Sequence, residues 1–211
     1  MTELSPAPLT QAAFARFGTV IKAGGESAAV NQGRGRRFDL ALDLAAADPR
    51  ALRLVSAIYS IEASSLPFTL GVIERHPLSP QLFYPTRAGR FLVCVLDAQA
   101  DGEPNFDTAH AFVGSAPQGI VYRAGVWHGP LVALDTPVDF LMQMWQSDGP
   151  LDCEERILAV SFSVGTSEPT MGELAGDLFG ADTSPLPFGE HNVSGRVKQL
   201  LKEKLRAKHS R

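Results

Sequence analysis

The chain has 211 residues, 45% of them apolar and 20% charged, a composition that excludes a fibrous or largely disordered protein and predicts one domain with an appendage. The net charge is −4, but residues 194–211 hold seven Lys or Arg and one Glu, so the remaining chain carries −10 and no nucleic-acid-binding surface is expected. The first residues lack the basic and apolar regions of a secretory leader, and the apolar run at 91–96 is too short to span a membrane. We therefore expect a cytoplasmic protein with neither nucleic acid nor membrane as a partner.

A short helix is predicted near the N-terminus. Thr10 is a suitable N-cap for residues 11–17, where Phe14 and Phe17 are three positions apart on one face. Gly18 follows at the position where a residue in the left-handed conformation commonly ends a helix. The helix is expected to flank a sheet.

Residues 23–37 are rich in Gly, Ser and Arg and predict a loop. Glycines that cradle a phosphate need a helix directly after them, and no helix pattern follows these. An exposed loop is therefore favoured over a phosphate site.

A series of short apolar stretches then runs from residue 52 to residue 145, separated by Pro, Gly, Asp and Ser. Spacings of about eight to twenty residues are typical of an antiparallel sandwich or barrel and not of alternating strands and helices. The predicted strands are 54–61, 68–74, 91–96, 110–113, 119–123, 131–134 and 138–145.

The stretch 69–90 carries the first group of chemically useful side chains. Side chains alternate faces along a strand, so Glu74 and His76 share a face with the apolar row that begins at Leu70. A carboxylate and an imidazole at the end of an apolar row need a hydrogen bond, an ion pair or a metal. Pro77 and Pro80 then force a turn before Gln81.

A second group follows a predicted strand that ends at Tyr122. Gly125 can adopt φ values that a side chain forbids, so the chain can reverse there. The reversal is expected to direct Trp127 and His128 back toward the first group. Aromatic residues beside a glycine turn are also common packing residues, which stays an alternative for Tyr122 and Trp127.

The two cysteines have no metal-ligand spacing, and neither Cys94 nor Cys153 receives a catalytic role. Residues 155–164 are expected to extend the sheet or form an interface. The domain boundaries are placed at 1–160 for a β-barrel domain, 161–193 for a Gly- and Pro-rich linker, and 194–211 for a basic amphipathic helix capped by Ser194.

The two groups resemble the paired motifs of cupins, here Glu74-x-His76-x4-Gln81 and Gly125-x-x-His128. Within cupins, Glu-Arg-His-Pro…Gln-x-Phe-x-Pro and Gly-x-x-Tyr-x-x-Gly-x-Trp-His-x-Pro are similar to the ureidoglycolate lyase family of allantoin breakdown in purine metabolism. The resemblance covers roughly residues 6–155. It implies a mainly β fold, a cupin-like double-stranded antiparallel β-barrel. The sequence pattern adds the short N-terminal helix and a C-terminal helical extension, which compact members of the family lack.

The resemblance also implies a site. Two imidazoles, a carboxylate and an amide oxygen suit a borderline divalent cation such as nickel or manganese, although buried histidines of the core remain an alternative. Arg75 points away from Glu74 on a regular strand, so an ion pair elsewhere is its alternative role. The predicted catalytic residues are Glu74, His76 and His128; the substrate-binding residues are Arg37, Asn31, Arg75, Gln81, Tyr122 and Trp127; and the metal ligands are Glu74, His76, Gln81 and His128.

The activity implied by the resemblance is the cleavage of (S)-ureidoglycolate to glyoxylate and urea by a homodimeric carbon–nitrogen lyase. Such a cleavage needs general acid–base catalysis. The chain departs from the family at Gly129, where a second histidine is usual, and at Met144 and Trp145, where Asp-Arg is usual. A related enzyme acting on another small ureido or 2-hydroxy acid, and a cupin that binds such a metabolite without catalysis, therefore remain alternatives.

Overall fold

The computed structural model describes residues 2–165, and strands dominate this part of the chain. One short helix, α1 (Gln11–Phe14), and 3-10 turns at Asn31–Gly33 and Pro150–Asp152 interrupt the strands. The strands are β1 (Thr2–Leu4), β2 (Ala7–Pro8), β3 (Gly18–Ile21), β4 (Ala28–Val30), β5 (Gly35–Arg37), β6 (Arg53–Ile61), β7 (Ala63–Ser64), β8 (Phe68–Arg75), β9 (Gln81–Pro85), β10 (Arg90–Ala98), β11 (Pro104–Ser115), β12 (Gly119–Tyr122), β13 (Trp127–His128), β14 (Val132–Leu134), β15 (Val138–Gln146) and β16 (Glu154–Val164).

Two mostly antiparallel sheets pack against each other. The first follows the order β1-β16-β8-β13-β10-β11-β2, with β14 paired to β10 and β7 paired to β14, and the second follows β3-β12-β9-β15-β6. Side chains of both sheets meet in one core, as when the Phe91 and Phe140 rings contact nearly perpendicularly with centroids 5.4 Å apart. The predicted mainly β, cupin-like antiparallel barrel is confirmed.

Strand β10 shows why an uninterrupted apolar run forms the centre of this fold. Alternate side chains point to opposite faces, and both faces of β10 are covered. Phe91, Val93 and Val95 belong to the core between the sheets. Leu92, Cys94 and Leu96 belong to a second core on the outer face of the first sheet. One strand therefore stabilises two cores.

The N-terminal helix is present but shorter than predicted, because it ends at Phe14 and not at residue 17. Its cap is as expected, since the Thr10 hydroxyl accepts a hydrogen bond from the Ala13 amide at 3.2 Å. The predicted role of Gly18 is wrong. Gly18 lies in β3, where a Cβ atom would come within 1.8 Å of the Val121 carbonyl oxygen, so glycine is required by close strand packing.

Two other segments differ from the predicted outline. Residues 23–37 contain a small hairpin of β4 and β5, joined by Asn31 and Gln32 at positive φ, within what was expected to be an irregular loop. Strand β9 was not predicted, because the prolines on either side indicate turns. It is nevertheless central in the second sheet, between β12 and β15.

The last described strand, β16, pairs with β8. Residues 155–164 therefore extend the first sheet, which is one of the two alternatives expected for them. Strand β16 ends at Val164, within the range assigned to the linker. The rest of the predicted linker and the predicted helix 194–211 lie outside the described residues. Among residues 2–165, no helix has the length and apolar character needed to cross a membrane.

Candidate active site

The two predicted motifs meet where β8 and β13 pair. Glu74 of β8 is the direct antiparallel partner of His128 of β13. His76 follows the end of β8, and its ring centroid lies 5.5 Å from that of His128. The Oε1 atom of Glu74 lies 3.6 Å from His128 Nε2 and 3.8 Å from His76 Nε2. We call these three residues the Glu74 cluster.

Backbone carbonyl groups fix both imidazole rings of the Glu74 cluster. His76 Nδ1 is 2.7 Å from the carbonyl oxygen of Asp152, and His128 Nδ1 is 2.9 Å from that of Val126. A carbonyl oxygen only accepts hydrogen bonds, so both Nδ1 atoms carry the proton and donate it. In each neutral imidazole the lone pair is therefore on Nε2, the atom that faces Glu74.

These Nε2 atoms are buried and have no hydrogen-bond partner in the described part of the chain. His76 is 8% exposed and His128 2% exposed, so water does not readily solvate them. One ligand atom from each of Glu74, His76 and His128 lies within 4.8 Å of the other two, a spacing compatible with a shared cation. Two ligands that are each ~2.1 Å from one ion lie roughly 3–3.5 Å apart, so little movement is needed.

The electrostatic environment keeps Glu74 ionised. Its pKa lies well below the usual range because the neighbouring imidazole of His128, and then that of His76, stabilise its negative charge, and this effect exceeds the opposing effect of burial. The second oxygen, Oε2, accepts a hydrogen bond from the Cys153 thiol at 3.5 Å. Burial first, and the neighbouring Glu74 charge second, raise the pKa of Cys153 to about 12, so this thiol remains protonated and acts as a donor.

The second sheet supplies the opposite wall. Tyr122 of β12 stacks on His128, with ring centroids 4.1 Å apart and planes inclined by 13°. Its direct antiparallel partner is Gln81 of β9, which is 2% exposed and donates its amide N–H to the Met144 sulfur at 3.7 Å. The hydroxyl of Tyr122 and the Oε1 atom of Gln81 are buried without a partner among the described residues. A donor and an acceptor are thus free beside the Glu74 cluster.

Burial raises the pKa of Tyr122 well above its usual range. Its phenol is therefore neutral and presents an O–H donor rather than an anion.

Trp127 and Arg75 do not join the Glu74 cluster. Trp127 precedes His128 on the same strand, so it faces the other side of the sheet, where it is fully buried in the outer core and donates its indole N–H to the Gly102 carbonyl. The Arg75 guanidinium lies over this indole, 4.7 Å from the ring centroid, and pairs with Glu154 at 2.8 Å. The prediction that Trp127 covers the pocket is contradicted by this placement. Arg75 forms an ion pair away from Glu74, which was its alternative role.

Arg37 and Asn31 lie on the β4–β5 hairpin and are exposed. The Arg37 guanidinium is paired with Asp39 at 2.6 Å, with side chains 66% and 74% exposed. Exposed pairs of this kind contribute little to stability and can exchange partners. None of the side-chain hydrogen bonds found in residues 2–165 joins either residue to the Glu74 cluster.

Asp152 and Cys153 are the contacts that sequence reasoning missed. They are far from both motifs along the chain and follow no recognisable spacing. They lie beside Glu74 because the strand that begins at Glu154 pairs with β8, and this pairing is visible only in the structure. A cavity of about 770 Å³ lies elsewhere, lined by Leu4, Phe106, Arg156 and Phe162 among others, and no member of the Glu74 cluster lines it.

Two departures from the family pattern have structural explanations. Gly129 is buried, and a Cβ atom there would lie 2.6 Å from the Leu70 side chain, so Leu70 fills the space that a histidine would need. Met144 faces the interior, where its sulfur accepts the Gln81 hydrogen bond. Trp145 donates its indole N–H to the Leu44 carbonyl at 2.8 Å.

Comparison with known proteins identifies relatives of this chain. A family model described as ureidoglycolate lyase matches residues 1–165. A ureidoglycolate lyase of Pseudomonas syringae pv. syringae is 36% identical over 162 residues, which are 76% of this chain and 93% of that protein. A ureidoglycolate lyase of Azotobacter vinelandii is 36% identical over 156 residues, which are 74% of this chain and 92% of that protein.

Proposed function

Because this chain belongs to the ureidoglycolate lyase family, we propose that it cleaves ureidoglycolate to glyoxylate and urea at the Glu74 cluster. The reaction breaks the bond between the reacting carbon and the urea nitrogen. The hydroxyl proton leaves, the C–O bond becomes a carbonyl, and the departing nitrogen gains a proton. In this proposal the protein is a carbon–nitrogen lyase of the amidine-lyase type.

The observation that carries the proposal is the convergence on one carboxylate oxygen of two Nε2 atoms that have no hydrogen-bond partner within residues 2–165. Lone pairs of neutral imidazoles and an anionic oxygen repel one another unless a cation or a proton lies between them. A buried arrangement of this kind is unfavourable for stability alone, and sites of catalysis are where such arrangements occur.

The same donor set suits a divalent cation. Glu74, His76 and His128 would hold it, with Gln81 Oε1 as a further ligand, and two nitrogens with one or two oxygens fit nickel or manganese. When bound, such a cation lowers the pKa of a hydroxyl group that coordinates it, as it does for water.

The protein's own groups then bind and orient the substrate. We assign the Tyr122 O–H to a substrate oxygen and, when Gln81 does not hold a cation, its Oε1 atom to an N–H of the urea group. Glu74, whose pKa is held low, is better suited to stabilising positive charge than to accepting a proton.

In cation-free protein, the proton acceptor in this proposal is His76 Nε2. The Asp152 carbonyl holds the Nδ1 proton, so Nε2 is the atom that can take the hydroxyl proton and return it to the leaving nitrogen. Glu74 would stabilise the imidazolium that forms between these two steps.

The substrate carboxylate needs a positively charged partner. Arg75 is held by Glu154 and the Gly102 carbonyl, so Arg37 is the better of the two predicted arginines for this role. The planar guanidinium matches a carboxylate in a bidentate manner. Asn31 on the same hairpin is proposed as a second contact.

A coupled assay for urea and glyoxylate, with ureidoglycolate as substrate, tests the proposal. The expected result is release of both products in equal amounts, measured with added Ni²⁺, with added Mn²⁺ and after chelation. Binding of ureidoglycolate without urea release would instead identify a non-catalytic metabolite-binding protein. Turnover only of other ureido or 2-hydroxy acids would identify a related enzyme.

We propose further that the protein is a cytoplasmic homodimer. The free thiols of Cys94 and Cys153 suit a reducing compartment. Strand β6 lies at the margin of the second sheet and exposes Leu54, Ile58 and Tyr59, which could be covered by a second copy. Sedimentation of the purified protein would measure its oligomeric state.

A further inference from the structure

The turn that precedes β16 lies directly beside the Glu74 cluster. Strand β16 pairs with β8 so that Glu154 is opposite Arg75 and Glu155 opposite Glu74. Asp152 and Cys153, the two residues before this strand, are therefore next to the end of β8. The Ser147 amide donates a hydrogen bond to the Asp152 carboxylate at 2.7 Å, which fixes the turn.

This dipeptide contacts two members of the Glu74 cluster in two different ways. The Asp152 carbonyl accepts the Nδ1–H of His76 at 2.7 Å, and the Cys153 thiol donates to Glu74 Oε2 at 3.5 Å. The first contact uses the backbone, so substitution of Asp152 leaves its acceptor in place. The second depends on the side chain and can be tested by substitution.

The Cys153 contact restricts the orientation of the Glu74 carboxylate relative to the two histidines. The terminal torsion of a glutamate is broad, so a carboxylate with both oxygens free samples many orientations. Here Oε2 is held on the Cys153 side, and Oε1 is the atom 3.6 Å and 3.8 Å from the two Nε2 atoms.

We infer that Cys153 is a positioning residue, whose thiol holds Oε2 so that Oε1 is presented to His76 and His128. Residues that orient a ligand in this way commonly change metal affinity or activity about 10–100-fold when they are substituted. A thiol is a weak donor, so we expect the lower end of that range. The catalytic consequence rests on the proposed function, whereas the hydrogen bond itself does not.

Infrared spectroscopy tests the hydrogen bond without substrate or metal. In a Cys94→Ala protein, Cys153 is the remaining thiol of the chain, and its S–H stretching band reports its acceptor. We expect Glu74→Ala to move this band to higher frequency. An unchanged band in a variant with wild-type circular dichroism would overturn the inference.

A double-mutant cycle tests the consequence for ligand binding. Ni²⁺ affinity is measured by calorimetry for the wild type, Cys153→Ala, Glu74→Ala and the double variant. We expect Cys153→Ala to weaken Ni²⁺ binding about tenfold in the wild type and to have no further effect in Glu74→Ala. Cys153→Ser, which restores an O–H donor, should recover most of the affinity.

Equal losses in both backgrounds would show that Cys153 acts through the fold and not through Glu74, which overturns the inference. If the wild type does not bind Ni²⁺, the same cycle is measured on kcat/KM with ureidoglycolate, and the infrared result decides the hydrogen bond in either case. A positive infrared result without urea release would contradict the proposed function while leaving the positioning role intact. Urea release with an unchanged S–H band would support the proposed function and overturn the positioning role of Cys153.

Discussion

His76 and His128 come from separate motifs, yet their rings lie 5.5 Å apart and are inclined by 38°. Each ring donates its Nδ1 proton to a backbone carbonyl, so both present Nε2 to the same carboxylate oxygen. This relationship is the basis of the proposed chemistry, and the following predictions test its parts.

Replacement of either histidine should remove activity without unfolding the protein. We expect His76→Ala to lower kcat/KM about 10²–10⁴-fold, the usual contribution of a general acid–base group. His128→Ala should also lower it strongly, because it removes one of the three side chains proposed to hold the cation. His110→Ala is a matched control, because this imidazole is exposed on β11 and stacks on Phe112. Near-wild-type turnover in both cluster variants, with unchanged circular dichroism, would rule out the scheme.

Divalent cations should stabilise the wild-type protein. A ligand present at a hundredfold excess over its Kd stabilises the native state by about 2.7 kcal/mol, so Ni²⁺ or Mn²⁺ should raise the melting temperature measured by calorimetry. The increase should be much smaller in Glu74→Gln and unchanged in His110→Ala. A wild-type melting temperature that does not respond to either cation would count against a metal site.

Tyr122→Phe should lower activity without lowering the stability of the protein. The Tyr122 hydroxyl is buried and has no partner among the described residues, so its removal should leave stability unchanged or raise it by about 1 kcal/mol. The stacking on His128 is retained in phenylalanine. We expect kcat/KM to fall about tenfold, because a donor to the substrate is lost. A loss of stability in urea denaturation would mean that the hydroxyl has a structural partner.

The Cys153 thiol should be slow to alkylate until Glu74 is neutralised. Its pKa of about 12 leaves little thiolate at pH 8, and only the thiolate reacts. Glu74→Gln removes a negative charge that raises this pKa, so the pKa should fall and the rate of alkylation should rise. Burial still raises the pKa, so the rate should remain below that of free cysteine. Iodoacetamide labelling followed by mass spectrometry measures both rates, and a slower reaction in Glu74→Gln would contradict the assigned cause.

Substitution of Arg75 should affect stability, whereas substitution of Arg37 should affect substrate binding. Arg75→Ala removes contacts with Glu154, Gly102 and Trp127, and should lower the free energy of unfolding by about 1–3 kcal/mol with little change in kcat. Arg37→Ala should leave stability unchanged, since its pair with Asp39 is exposed, but raise KM for ureidoglycolate about tenfold. The reverse pattern would return the carboxylate-binding role to Arg75.

The sequence was most informative where strand alternation applies. Alternation placed Glu74 and His76 on one face and Arg75 on the other, and the structure agrees. The same rule separates Trp127 from His128, since neighbours on a strand face opposite sides, and applying it there would have excluded Trp127 from the pocket.

Contacts that depend on strand register could not be predicted. No local pattern indicates that His128 is opposite Glu74, or that β16 brings Cys153 beside the same carboxylate. Such pairs arise from the packing of distant segments, and only the family resemblance implied the first of them. Strand β9 was missed for a related reason, since tertiary pairing with β12 and β15 overrides its flanking turn signals.

Strand β10 belongs to two cores and also pairs with His128 through Val95. A substitution on this strand is therefore expected to change both the stability of the protein and the position of His128. A protein engineer seeking a more robust variant should therefore leave this strand intact. An exposed apolar position outside both cores and outside the proposed dimer surface, such as Leu52, which is 73% exposed, offers the safer starting point.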